Sequence, residues 1–131
     1  MEGVLLARYE FTVLRAKPER SPVTGLTLMA PAGRRADAEA GARRGLTHVR
    51  ATMLARDLAS SPPSMLTAAV LAETAQRLAA ECGPDVEVFE ETALREMGCG
   101  GLLGVNAGSV GPPRMIRIRY RPDGAPADAA R

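Results

Sequence analysis

Two adjacent prolines, Pro62 and Pro63, limit what this chain can fold into more than any other feature. A proline inside a helix lacks the N–H that the ladder needs and clashes with the carbonyl one turn earlier. It also pushes the preceding residue out of helical geometry. The run Ser60-Ser61-Pro62-Pro63-Ser64 therefore ends any helix that reaches it. Upstream, residues 36 to 59 carry a helical pattern, with Leu46, Val49 and Met53 on one face and Leu54 and Leu58 widening it. Gly41 and Gly45 weaken the first half of this helix, by about 1 kcal/mol each relative to alanine.

Downstream, the spacing predicts a second helix from Ala68 to Cys82. Thr67 is placed to cap its first turn, and Leu71, Ala75, Leu78 and Cys82 are expected to form one buried stripe. Gly83-Pro84 supplies the stop. Val86 to Phe89 reads as a short strand, and Glu91 to Met97 as a short helix closed by Gly98. The glycine-rich stretch from Gly98 to Ser109 is expected to be a loop that leads through Pro112-Pro113 into a last strand. In that strand Ile116, Ile118 and Tyr120 alternate with Arg117, Arg119 and Arg121, which predicts one buried face and one charged face.

The first residues are less patterned. Val4 to Phe11 has no helix-start signal before it and reads as the tail of an element. Lys17-Pro18 and Ser21-Pro22 break regular structure, and alternation of Leu26 and Leu28 predicts a short strand over Thr24 to Met29. The tail beyond Arg121 has no pattern and is expected to be mobile. Helix, strand, helix, strand argues for an α/β layer, yet only two convincing strands follow the long helix. The chain reads as cut at both ends, and it holds no internal repeat.

Composition narrows the function classes. Apolar residues make up 46% of the 131 and charged residues 24%, a globular rather than a disordered balance. Aromatics are only 3% with no Trp, so a core has to come from aliphatic side chains. A formal net charge of +2 is too small to mark a nucleic-acid footprint by itself. The longest apolar runs fall far short of the ~20 residues that span a membrane, and Met1-Glu2-Gly3-Val4 lacks the basic start of a secretory signal. A cytoplasmic location with free thiols is expected.

The candidate chemistry is sparse. Cys82, Cys99 and the lone histidine, His48, cannot complete a four-ligand zinc site. No Glu or His stands at i+4 from His48, and Arg44 and Arg50 oppose a cation, so it reads as a surface or interface residue. Neither cysteine has a histidine obviously placed to activate it. Gly98, Gly100 and Gly104 miss the dinucleotide-loop spacing by one and follow a helix instead of a strand. Ser60, Ser61 and Ser64 read as capping residues at the Pro-Pro turn, and no G-x-S-x-G elbow occurs. Asp57, Glu73, Glu81, Glu87, Glu90, Glu91 and Glu96 read as solvated charge among arginines. Arg114, Arg117, Arg119 and Arg121 are the best nucleic-acid candidates, but lack interleaved aromatics for base stacking. Cover by an acidic partner or further chain explains them equally well.

Four segments taken together resemble the leucyl (cytosol) aminopeptidase family: Ala55-Arg56-Asp57-Leu58, Ser61-Pro62-Pro63-Ser64-Met65-Leu66-Thr67, the stretch Met97 to Ser109, and Pro112-Pro113-Arg114-Met115-Ile116. In that family an Ala-Arg-Asp-Leu helix end precedes a turn like Asn-Thr-Pro-Pro-Asn. A Leu-Leu-Gly-Val…Gly-Ser segment then leads through Pro-Pro into a strand ending in Arg-Tyr, here Arg119-Tyr120. Order and spacing agree over roughly residues 46 to 121, and more loosely before. The turn departs from the pattern, because Ala59-Ser60-Ser61-Pro62-Pro63-Ser64 lacks the family's asparagines; Ser61 can still cap.

The resemblance implies an α/β fold: a partial α/β/α layer in which a long linker helix is followed by helix–strand–helix–strand, with an incomplete sheet. Residues 1–34 would end an N-terminal α/β domain, 35–61 would be the linker helix, and 62–131 would begin a truncated metallo-aminopeptidase catalytic domain. Family members use two divalent ions, zinc or manganese, to remove N-terminal residues from peptides, and assemble as homo-hexamers in the cytoplasm. Their metal and catalytic motifs, Gly-Lys-Gly-…-Asp-Ser-Gly-Gly and Asn-Thr-Asp-Ala-Glu-Gly-Arg, do not occur here, and the one lysine, Lys17, lies elsewhere. No catalytic, cofactor-binding or metal-binding residue is therefore carried over, and the chain alone is expected to be inactive and to bind no cofactor. The alternative reading is an interaction or regulatory module that pairs with a complete subunit through an open sheet edge. Membrane and nucleic-acid partners are not expected.

Overall fold

The computed structural model describes residues 1–17, 23–122 and 124–125. The chain falls into two compact units, Met1–Ser61 and Pro62–Arg131. The expected breaks at Pro18 and Pro22 lie outside the described residues. So does the tail, apart from a turn in which Ala125 N–H donates to the Pro122 carbonyl at 3.1 Å.

The first unit is built on two helices, α1 (Glu2–Ala7) and α2 (Arg35–Ser60), with a 3₁₀ turn at Ala32–Arg34 before α2. Residues 4–7, read as the tail of an element, lie in α1, which begins without a side-chain cap. Helix α2 covers the segment expected to be helical, but its buried positions are Gly45 and Val49, while Leu46 is exposed. Gly45 is more than a weak point in the helix. A Cβ there would meet the Glu2 Cγ at 3.4 Å, so the missing side chain leaves room for α1 to lie against α2.

The strand expected over Thr24 to Met29 does not form. Those residues are irregular, and Leu26 and Leu28 stay 43% and 47% exposed. Alternation alone does not make a strand: without a neighbouring strand the backbone N–H and C=O groups have no ladder to join.

The second unit runs α3 (Ala68–Cys82), β1 (Asp85–Phe89), α4 (Glu91–Glu96), α5 (Gly100–Asn106) and β2 (Met115–Arg119). The fold is mixed α/β with an incomplete sheet. Helix α3 has the predicted ends: the Thr67 hydroxyl accepts from Val70 N–H at 3.3 Å, and Gly83 closes it with φ +89°. Its buried face differs from the expected stripe, for Leu71 and Cys82 are exposed and Ala72 is the buried residue. Small residues there let α3 pack against both strands.

The strands pair antiparallel, with Asp85 opposite Arg119, Glu87 opposite Arg117 and Phe89 opposite Met115. Strand alternation then puts Val86, Val88, Ile116 and Ile118 on one face. The expected buried face of Ile116, Ile118 and Tyr120 is met only at Ile116, which is half-buried: Ile118 is 59% exposed, and Tyr120 is exposed and lies past the strand end.

The glycine-rich stretch is not a loop. Gly98 (φ +71°) ends α4, Cys99 N–H donates back to the Leu94 carbonyl at 2.9 Å, and α5 then takes in Gly100, Gly101 and Gly104. Helix α4 packs against α5 and carries Leu94, the one fully buried large side chain among the described residues. Leu102 and Leu103 are half-buried. Two apolar anchors and a helical start at Cys99 outweigh the poor propensity of the glycines.

Candidate functional site

The chemistry-bearing residues gather in one place in each unit. In the second unit it is the charged face of the two-stranded sheet. Cross-strand register sets Glu87 beside Arg117, with Arg119 two residues further along the same face. The Glu87 carboxylate accepts from both guanidinium groups, one on each oxygen. The Arg117 guanidinium also lies over the Phe89 ring, 5.1 Å from its centroid. At the end of β1, Glu90 pairs with Arg114 at 3.1 Å. Arg114 is the least exposed of these arginines, at 18%, and also donates to the Pro113 carbonyl at 3.0 Å.

The arginine ladder singled out for nucleic acid is thus largely engaged by carboxylates of its own chain. Arg114, Arg117 and Arg119 each have a partner, and the acidic cover left open by the sequence is Glu87 and Glu90. Sequence alternation gave the faces of both segments. It could not give the register that brings Glu87 to Arg117.

In the first unit the cluster is Tyr9, Arg56 and Asp57. The Tyr9 hydroxyl donates to Asp57 Oδ1 at 2.9 Å, and the Arg56 guanidinium lies 5.4 Å from the ring centroid. Arg56 also donates to the Leu6 carbonyl at 3.3 Å. Partial burial, and then the hydrogen bond to the Asp57 carboxylate, hold the Tyr9 phenol above its ordinary pKa of 10.0. No pattern in the sequence links residues 9 and 57, which lie 48 positions apart.

The other candidates are placed as follows. His48 is an exposed helix residue whose Nδ1 stands 3.2 Å from Glu2 Oε1. Cys82 is exposed and Cys99 half-buried, and both are free thiols. The Ser61 hydroxyl donates to the Asp57 carbonyl at 2.7 Å, so it closes the end of α2 instead of capping the start of the next turn. Glu91 pairs with Arg95 at 2.6 Å along α4. Gly98, Gly100 and Gly104 form a helix stop and a helix, with no phosphate-binding geometry.

Among the described residues, no three or more His, Cys, Asp or Glu side chains come together in a way that could hold a metal ion. The described residues do not fit a dinuclear metal centre. No helix among them is long and apolar enough to cross a membrane.

Comparison with known proteins bears on what such a scaffold serves. Residues 53–130 match the model of the cytosol aminopeptidase family, catalytic domain. A probable cytosol aminopeptidase of Geobacter sp. (strain M21) is 40% identical over 125 residues, covering 94% of this chain and 26% of the relative. One from Leifsonia xyli subsp. xyli is 38% identical over 128 residues, covering 95% and 25%. Among solved structures, the bottromycin maturation enzyme BotP superposes with a TM-score of 0.72 at 36% identity, covering 92% of this chain and 25% of that one. The same enzyme in complex with Mn gives 0.72 at 35% identity, covering 93% and 24%. The chain spans about a quarter of the length of the curated relatives it matches.

Proposed function

The chain belongs to the cytosol aminopeptidase family, and from that footing we propose that it forms the scaffold part of a metal-dependent leucyl aminopeptidase. Residues 1–34 end an N-terminal α/β domain, 35–61 are the linker helix, and 62–131 begin the catalytic domain. The complete enzyme removes N-terminal residues from peptides with two divalent ions, zinc or manganese. It works in the cytoplasm as a homo-oligomer, a hexamer as in the family. This chain by itself supplies no ligand to the ions and no peptidase activity.

The observation that carries this reading is the match over residues 53–130, combined with a share of only about a quarter of each curated relative. The geometry supports it. Three of the candidate carboxylates are committed to structural pairs: Glu87 to two arginines, Glu90 to Arg114, and Asp57 to Tyr9. A carboxylate held by a guanidinium on each oxygen has little capacity left for a metal.

A domain replacement tests it. The matching quarter of the Geobacter relative is exchanged for this chain, and leucyl-peptide hydrolysis is measured for the chimera and for this chain alone. The chimera is expected to keep chelator-sensitive activity. A well-folded chimera without activity would overturn the assignment of this segment as a working scaffold of that enzyme.

A further inference from the structure

We draw no further inference here: the strongest candidate, the apolar groove between the start of α3 and residues 109–112 of the second unit, lined by Leu66, Ala68, Ala69 and Val110, carries nothing because nothing in the structure shows what covers it.

Discussion

The Tyr9 hydroxyl donates to the Asp57 carboxylate at 2.9 Å, joining the segment just after α1 to the last turns of α2. Arg56, one residue earlier, lies over the ring of the same tyrosine and reaches the Leu6 carbonyl. Helix α1 has no buried residue of its own. Its position depends on this cluster at one end and on the contact between Glu2 and Gly45 at the other.

Tyr9→Phe removes the hydroxyl and keeps the ring beneath Arg56. It is expected to lower stability slightly, through the loss of one exposed hydrogen bond. Tyr9→Ala also removes the cation–π contact and is expected to lower it further. Urea denaturation midpoints check the order of the two losses; equal midpoints for wild type and both variants would mean that the cluster holds nothing.

Partial burial and the same hydrogen bond together set an alkaline limit. With its folded pKa raised above 10.0, protonated Tyr9 is favoured in the folded state. The associated stability is fully present below the unfolded value and is lost as pH rises through the folded value. In a Tyr120→Phe background only Tyr9 remains to titrate. Tyrosinate absorbance is expected to rise with a midpoint above 10.0, and Asp57→Asn is expected to bring that midpoint down.

Much of the second unit was legible because its signals are local. Thr67 as a cap and Gly83 as a stop each mark an end of α3 through groups only a few residues away in sequence. The glycine stretch misled for the opposite reason: the full burial of Leu94, on α4, depends on tertiary packing, which propensity does not contain. Leu26 and Leu28 alternate like a strand but have no partner strand among the described residues. Glu87 and the arginines share a face for reasons visible in each segment, but the register that joins them is set only when β1 and β2 meet.

Glycines in the second unit fall into two classes with opposite responses to alanine. Gly83 has φ +89° and Gly98 φ +71°, so alanine at either is expected to destabilise by about 1 kcal/mol or more. Gly101 and Gly104 lie in α5 with nothing within 4 Å of an added Cβ. Alanine there is expected to stabilise by up to about 1 kcal/mol through helix propensity alone. Thermal melting of the four single variants separates the classes.

Glu87→Ala frees two guanidinium groups that lie side by side. Exposed pairs are individually weak, so the expected loss is about 1 kcal/mol, and it should shrink in ~1 M salt as screening weakens both attraction and repulsion. A loss unchanged by salt would show that Glu87 matters for packing and not for charge.

On the proposed reading this chain is aminopeptidase scaffold that supplies no active site by itself. Leucine release from leucyl amide by the purified chain, with manganese or zinc added, tests it most directly. No release above the buffer blank is expected with either metal. Leucine release that a chelator abolishes would contradict it.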